Sequence, residues 1–417
     1  MGLKQRMAGF FGRDKTRQEQ KREQKASAAA PLLVQFGTGQ PRFTPRRYDR
    51  LAEEGYRKNV IAYRCIRLIA QNAAAVPWML YQGRAGNRTR LHDHPLLTLL
   101  SRPNPMQGRG ELMEALCGFF MIAGNAWLEA VGPSGGMPHE LWALRPDRMT
   151  VVPGADGTPE AYRYSAGGRK IDFKVDRVTG RAAVLHLKSF HPLDDWYGMS
   201  PLEAAAFSID QHNEAAKWNT ALLQNCGRPG GALVYRPAHA DGPDTLTAEQ
   251  RQVLKDELER HYSGSENAGR PLVLEGGLDW KEMSLSPKDM DWLAGKDMAA
   301  REIALAYNVP PQLVGVEGSL TYANFEQARL ALYDDAVLPL LAHMRDELNN
   351  WLAPQFGEAL FFDFDIDAIE ALAPRREKIW ARLNMASFMT LNEKRAALGL
   401  SPLSGGDRLE MQPEPAS

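Results

Sequence analysis

The sequence predicts an α+β fold, in which long helices frame a block of short strands. Apolar residues keep helical spacing across residues 59–75 and again across 321–352. Between residues 125 and 190 the pattern changes to short strand-like runs separated by Gly, Pro and Asp turns. This division into helix-rich and strand-rich stretches is typical of an α+β architecture.

The composition is that of a globular protein with nearly balanced charge. The 417 residues suffice for one large core or for two to three smaller ones. Hydrophobic residues make up 44% of the chain, which argues against a disordered or fibrous class. The net charge is −1, which argues against a protein that holds nucleic acid through many phosphate contacts.

The three cysteines, Cys65, Cys117 and Cys226, are far apart and belong to no Cys/His cluster. We therefore expect reduced thiols in a cytosolic interior and no structural zinc. The basic residues 1–25 are not followed by an apolar segment and then small residues, which is the order that a secretory signal requires. The most apolar stretch, residues 115–128, is too short for a membrane span, so we expect no membrane contact.

The N-terminal half begins with a basic arm over residues 1–45, which is expected to be mobile. A compact region follows from about Tyr48, with a helix over 59–75 that ends before Pro77. The other expected elements are helices over 94–100 and 111–123 and strands over 78–81, 126–131, 140–144, 149–152, 162–165, 171–173 and 183–187.

A further helix is expected to begin at Ser200 as its N-cap, with Pro201 at the first helical position. It should end before Gly227, where a small α/β insertion begins. The helix of this insertion starts at a capping box of Thr247 and Gln250. Its strands are expected over 232–235, 271–275 and 279–285.

Two helical patterns joined by a short apolar loop organise the rest of the chain. The first, over residues 287–307 behind Ser286 as N-cap, ends at the prolines 310 and 311. The second runs over 321–352, a length of about 45 Å at about 1.5 Å per residue. Pro339 lies inside this second pattern and predicts a kink there.

The C-terminal part contains one strand and two short helices. Residues 360–367 alternate as a strand, with Phe362, Phe364 and Ile366 expected to point inward and three aspartates outward. The helices are expected over 374–388 and 392–398, the second behind Thr390.

No pattern for catalysis or metal binding stands out. The three outward aspartates lack the Gly and the terminal Glu of a calcium loop, so a solvated strand face is the favoured interpretation. His92 and His94 have no further ligand at a suitable spacing. Gly295-Lys296 lacks the rest of a phosphate-binding loop. We therefore predict no catalytic residue, no cofactor, no metal and no enzymatic activity.

Several runs of residues resemble one protein family. Residues 306–315 (AYNVPPQLVG) and 322–329 (YANFEQAR) are similar to the tunnel loop and flanking helices of portal proteins. Those proteins belong to long-tailed double-stranded-DNA phages (siphophage type) and also occur in gene transfer agents. Residues 59–67, 94–105 and 392–407 resemble further recurrent runs of the family. The resemblance covers about residues 45–408.

The resemblance implies the portal fold, with a wing, a helical stem, an α/β clip, a long kinked helix and a small helical crown. The implied division is 1–45 mobile N-terminal arm, 46–200 wing, 201–226 first stem helix, 227–285 clip, 286–308 second stem helix, 309–320 tunnel loop, 321–355 long kinked helix, 356–370 wing strand, 371–403 crown and 404–417 flexible tail.

The resemblance also implies a function. Portal subunits form a ring, expected here to be a dodecamer, at one capsid vertex, and DNA passes through it during packaging and ejection. The implied partners are further copies of the chain, the major capsid protein, the terminase large subunit, a head–tail adaptor and double-stranded DNA in transit. The implied location is a virion or gene transfer agent particle, assembled in the bacterial cytoplasm. A closed ring requires a heterologous interface, for which the stem helices and the long helix are the expected carriers.

The residues implied to line the narrowest part of the channel are Leu313, Val314, Gly315, Val316, Glu317, Gly318 and Ser319. Small and apolar side chains offer DNA no phosphate anchor, and Glu317 repels it, so the duplex slides. The alternative is an ordinary interhelical turn whose Leu and Val pack inside one subunit. A Leu313/Val316→Asp double substitution is expected to block packaging and to leave ring assembly intact.

The clip is implied to contact the terminase or the adaptor through Arg251, Lys255, Glu259, Asp279 and Lys281. Two other function classes stay open. A non-ring interaction scaffold would be recognised by its native mass, and a nuclease by divalent-metal-dependent cleavage. The sequence also leaves open whether the particle is an infectious phage or a gene transfer agent.

Overall fold

The computed structural model describes residues 43–45, 47–84, 87–133, 136–155, 157–224, 231–235, 247, 249–250, 252–254, 256–257, 278–282, 292–316, 321–357, 359–400 and 402–409. The α-helices are α1 Tyr48–Leu51, α2 Val60–Ala75, α3 Pro95–Ser101, α4 Arg109–Ala123, α5 Pro201–Ala204, α6 Ala206–Gln224, α7 Trp292–Ala306, α8 Tyr322–Leu332, α9 Leu338–Trp351, α10 Ala373–Met385 and α11 Leu391–Ala397. The strands are β1 Trp78–Arg84, β2 Asn87–Leu91, β3 Asn125–Val131, β4 Glu140–Leu144, β5 Met149–Pro153, β6 Pro159–Ala166, β7 Arg169–Lys174, β8 Val184–Lys188, β9 Gly231–Tyr235, β10 Leu278–Glu282 and β11 Leu360–Phe364.

Side chains cap several helices and thereby satisfy N–H groups that have no partner within the helix. The cap predicted at Ser200 is confirmed, because its hydroxyl accepts from the N–H of Glu203 at 3.0 Å. Thr390 and Glu393 form a complete capping box at α11. The capping box predicted for Thr247 and Gln250 is also present, with hydrogen bonds of 3.0 and 3.2 Å.

The first sheet joins two distant parts of the chain. It has the order β11-β1-β2, and both pairs are antiparallel, with Trp78 opposite Phe364. Strand β2 was not predicted. Strand β11 ends earlier than predicted, because the side chain of Asp365 accepts from the N–H groups of Asp367 and Ala368 and turns the chain. The inward orientation predicted for Ile366 is therefore wrong, and this side chain is 48% exposed.

Two further antiparallel sheets follow, with the orders β4-β3-β8 and β5-β6-β7. One face of β3 contributes Leu128 to the main core, which helices α2, α4 and α9 also line. The other face presents Trp127 to a smaller cluster with Met149, Val151 and Val184. Strand β3 therefore lies between two apolar clusters, which explains why its first four residues are buried.

Helices α6 and α7 pack side by side. The hydroxyl of Ser208 on α6 donates to Oε2 of Glu302 on α7 at 2.6 Å. The sequence predicted one continuous helix from Pro201, but the structure interrupts it at the buried Ala205. Strands β9 and β10 pair antiparallel, with Leu233 opposite Trp280. The predicted cap Ser286 and the predicted strand over 271–275 lie outside the described residues.

Candidate functional site

The apolar loop that follows α7 starts as a tightly hydrogen-bonded turn. Asn308 ends the helix in the left-handed conformation, at φ 53°, and the N–H of Val309 donates to the carbonyl of Ala304 at 2.9 Å. A 3-10 turn follows over Pro311–Val314 and ends at Gly315, at φ 79°. The described part of the loop is therefore fixed onto the end of α7 by backbone hydrogen bonds.

The apolar side chains of this turn contact the core of their own subunit. Leu313 and Val314 are half-buried against the main core, and Val316 is only 7% exposed. Full burial of a Val or Leu side chain is worth about 1.5–3 kcal/mol, and partial burial proportionately less, so burial favours this arrangement. For these three residues the structure favours the alternative interpretation, an intrasubunit turn. Gly315 is exposed, whereas Glu317, Gly318 and Ser319 lie outside the described residues.

The long helix contains an irregularity just before Pro339. A π-helical segment, Tyr333–Val337, joins α8 to α9, and the N–H of Leu338 donates to the carbonyl of Tyr333 five residues earlier. Pro339 has no N–H, so the carbonyl of Asp335 lacks its usual α-helical donor. Nδ2 of Asn308 donates to that carbonyl at 3.3 Å. The disturbance predicted at Pro339 thus takes the form of a π segment on its N-terminal side.

Side chains of helices α2 and α10 also contact the π segment. The hydroxyl of Tyr333 donates to Oδ1 of Asn72 on α2 at 2.8 Å. Burial raises the pKa of Tyr333, so this hydroxyl stays protonated as a donor. Nη1 of Arg375, near the start of α10, lies 2.9 Å from Oδ1 of Asp334. The π segment therefore contacts the turn before the loop, helix α2 and helix α10.

A buried polar cluster joins α2 to α6. Nδ2 of Asn59 lies 3.3 Å from Nδ1 of His212 and donates to Oδ1 of Asn213 at 3.1 Å. Nδ2 of Asn213 donates in turn to the carbonyl of Glu54 at 2.9 Å. Burial lowers the pKa of His212, and the charge of Lys296 lowers it further. The cluster therefore favours a neutral imidazole and fixes α6 to the start of α2.

Helix α7 leaves apolar side chains in solvent within the single subunit. Leu293, Met298 and Leu305 are 75%, 59% and 73% exposed. By their seven-residue spacing Met298 and Leu305 lie on one side of the helix, and such exposed apolar side chains are a candidate contact surface for another protein.

Two of the predicted clip residues lie on one strand. Asp279 and Lys281 belong to β10 and are both exposed, on the same side of the strand by their spacing. Arg251, Lys255 and Glu259 lie outside the described residues. The structure therefore brings together only these two of the five.

The described residues contain no group of three or more His, Cys, Asp or Glu side chains that could hold a metal ion. His94 caps α3, because its Nδ1 accepts from the N–H of Leu96 at 3.2 Å. Cys65 and Cys117 are buried free thiols, and burial raises the pKa of each to about 12. Among the described helices, none is long and apolar enough to span a membrane.

Sequence reasoning missed Asn72, Asn308 and Arg375, whose side chains contact the π segment. Pro339 carried a signal, because a proline inside a helix frees the carbonyl four residues earlier. Nothing in the sequence indicated which side chain would bind that carbonyl, since Asn308 is 27 residues away.

Comparison with known proteins identifies the family. The family described as phage portal protein matches residues 61–399. An uncharacterised protein of Rickettsia bellii (strain RML369-C) is 44% identical over 361 residues, which are 86% of this chain and 91% of that protein. The portal protein of Enterobacteria phage HK97 is 24% identical over 352 residues, 83% of this chain and 79% of that one.

A solved structure agrees with these relatives. It shows the neck of a native gene transfer agent particle, computed with C12 symmetry. Its matching chain is 46% identical to this one, with a TM-score of 0.65, over 88% of this chain and 97% of that chain. The α+β class is therefore confirmed. The chain belongs to the phage portal protein family and has the fold of a portal subunit.

Proposed function

We propose that twelve copies of this chain form a closed ring at one vertex of a capsid, and that double-stranded DNA passes through its centre. The observation that carries the proposal is the similarity to a chain in a particle neck of C12 symmetry. The exposed apolar side chains Met298 and Leu305 of α7 support it, because a heterologous ring interface would cover them.

Native mass spectrometry and negative-stain electron microscopy of the purified protein test this proposal. We expect rings with a central hole and the mass of twelve 46.4-kDa chains. A stable monomer or dimer at high protein concentration would contradict the ring and favour a non-ring interaction scaffold.

We propose that the loop over residues 309–320 faces the DNA and acts mechanically, without catalysis. The balanced charge of the chain supports sliding, since a channel lined with many basic residues would hold phosphates. Because Leu313 packs against its own core and Val316 is buried, the sharper test is at Glu317. We expect Glu317→Lys to lower the yield of DNA-filled particles strongly and Glu317→Gln to lower it little.

The control for this test is Glu160→Lys, the same charge change on exposed strand β6 of the wing. Particle counts by electron microscopy and DNA content per particle are the readouts. Unchanged filling in the Glu317→Lys particles would contradict the assignment of the loop to the channel.

We propose that the clip binds the terminase large subunit during packaging and a head–tail adaptor afterwards. Asp279 and Lys281, exposed on β10, and Arg251, Lys255 and Glu259 are the proposed contacts. Lys281→Glu should weaken capture of the large terminase subunit by the ring, whereas Lys174→Glu on the wing should not. Equal capture by both variants would contradict the clip assignment.

We propose that the particle is a gene transfer agent. The 46% identity to the neck chain of such a particle, against 24% to the HK97 portal protein, favours this source. Sequencing the DNA inside purified particles tests it. Host chromosomal fragments are expected, and a single phage genome would contradict the proposal.

A further inference from the structure

The crown helix α10 is poorly packed within its own subunit. None of its 13 residues is buried. Ile379 and Trp380 are 41% and 50% exposed, and beyond the helix Met385 and Phe388 are 77% and 80% exposed. An isolated helix of this length is marginal in water, so α10 requires a further packing partner.

The apolar and charged residues of α10 lie on different sides. Ile379, Trp380 and Leu383 follow helical spacing and form one face. Lys378 and Arg382, four residues apart, lie together beside it. Within the described part of the chain, neither of these two cations has an ion-pair partner. The partner should therefore offer both apolar surface and negative charge.

The chain itself contains a segment of the opposite charge. Residues 373–409 hold seven basic and three acidic residues, a net charge of +4. Residues 322–370, the long helix and β11, hold two basic and ten acidic residues, a net charge of −8. The ion pair described between the two segments within one subunit is Arg375–Asp334. The two segments therefore share this one described ion pair, while inside the acidic segment Arg345 lies 2.9 Å from Asp346 and 3.6 Å from Asp363.

The acidic segment also offers an apolar cleft. Asp335 and Asp346 are both exposed and lie three helical turns apart on one side of the long helix. Beside Asp335 lies a cleft of about 350 Å³, whose lining includes Phe120, Pro339 and Leu340. His343 also lines it, and Nε2 of this residue is buried without a hydrogen-bond partner. An incoming side chain would therefore find apolar walls, an unpaired nitrogen and a carboxylate at the rim.

We propose that α10 of one subunit docks on the Asp335–Asp346 side of the long helix of the next subunit. Its apolar residues Ile379 and Trp380 enter the cleft, and Lys378 and Arg382 face the carboxylates. This proposal rests on the ring proposed above and assigns two of its complementary faces. A heterologous ring needs two such different faces on every copy, and here one chain carries both.

Other occupants fit the crown less well. DNA would use the cations but would leave the apolar face of Trp380 uncovered, since phosphate contacts are electrostatic. The N-terminal residues 1–42 hold nine basic and three acidic residues, so their charge has the same sign as that of α10.

A charge-reversal experiment tests the contact on the full chain. The crown variant is Lys378→Glu/Arg382→Glu, and its matched control is Lys170→Glu/Lys174→Glu on the exposed strand β7. Mass photometry across a dilution series should show that the crown variant dissociates at a concentration about tenfold higher or more. The control should assemble like the unchanged chain. Circular dichroism and thermal melting of the dissociated subunits verify that both variants are folded.

A mixing experiment identifies the partner face. The variant Asp335→Lys/Asp346→Lys should also fail to assemble alone. Mixed with the crown variant, it should restore rings in which the two chains alternate, because each contact then pairs opposite charges.

Three results would overturn the proposal. The first is normal assembly of the crown variant, and the second is a mixture of the two variants that stays dissociated. The third is that the crown variant forms normal rings that have only lost DNA retention. That third result would indicate that α10 contacts DNA. Absence of rings from the unchanged chain would instead contradict the proposed ring itself.

Discussion

Nδ2 of Asn308 donates a hydrogen bond to the carbonyl oxygen of Asp335 at 3.3 Å. That carbonyl is free because the residue four positions later, Pro339, has no N–H. The contact joins the turn that precedes the proposed channel loop to the one irregular segment of the long helix. A loop attached in this way cannot move at its first residues without affecting the long helix.

Substitution of Asn308 should show how much this contact contributes to the stability of the subunit. Asn308→Ala loses the hydrogen bond, worth about 1 kcal/mol, and places Ala in the left-handed region, at a cost of about 1 kcal/mol. We expect a total loss of about 2 kcal/mol in the free energy of unfolding, measured by urea denaturation. Asn308→Gly keeps the backbone conformation without strain, so its free energy of unfolding should decrease by only about half as much.

A second substitution tests whether Pro339 is the cause. Pro339→Ala supplies an N–H that is able to donate to the carbonyl of Asp335. In that background the hydrogen-bond part of the Asn308→Ala effect should largely disappear. Additive effects of the two substitutions would contradict the coupling.

Val316→Asp should destabilise the subunit itself. Val316 is 7% exposed, and a carboxylate there would be buried without a partner, which costs about 3 kcal/mol or more. Val178→Asp, at a position that is 94% exposed, is the matched control and should leave the melting temperature unchanged. An equally small effect at both positions would mean that Val316 faces solvent. The Leu313/Val316→Asp test therefore does not isolate the channel, because it also disrupts the core.

Gly198→Ala should disrupt the packing between the segment before α5 and the ends of strands β3 and β8. A Cβ at Gly198 would lie 2.1 Å from the carbonyl oxygen of Gly124 and 2.5 Å from the amide nitrogen of Ser189. Because both neighbours are backbone atoms, neither moves cheaply, and we expect a loss of about 3 kcal/mol or more. Gly118→Ala, inside α4 with nothing near its added Cβ, is the control and should stabilise by about 0.5–1 kcal/mol. Thermal melting of the two variants measures the difference.

Because of His186, the free energy of unfolding should decrease as the pH is lowered. Its ring stacks on Trp127 at 3.6 Å and its Nε2 bonds Oδ1 of Asn125 at 2.9 Å. Burial lowers the pKa of His186 to about 3, and the charge of Lys188 adds to this effect. As the pH falls, the unfolded chain therefore protonates His186 at a higher pH than the folded chain does. The stability conferred by a neutral His186 is complete above pH 6.5 and declines between pH 6.5 and about 3.

The matching measurement is the free energy of unfolding as a function of pH. For one group the slope approaches about 1.4 kcal/mol per pH unit in this range. His186→Phe keeps the stacked ring but cannot titrate, so its slope between pH 6 and 4 should be shallower by about that amount. Identical slopes for the two proteins would indicate that His186 is already protonated in the folded state.

Local sequence signals predicted most elements of the fold. Ser200, Thr247 and Thr390 were identifiable as caps because a side-chain oxygen and an N–H group two or three residues later form a local hydrogen bond. The strands β3 to β8 followed from apolar runs separated by turn residues. The family resemblance rested on runs such as residues 306–315, and the relatives confirm it.

Contacts between distant residues decided the rest. The pairing of β11 with β1, in which Phe364 lies opposite Trp78, joins residues that are far apart in the sequence. The sequence by itself determined most helices, most strands and the family, because those follow from interactions within a few residues. The tertiary structure decided that Asn308 binds Asp335 and that Arg375 reaches Asp334, because the energy of such contacts arises only when the folded chain brings the partners together.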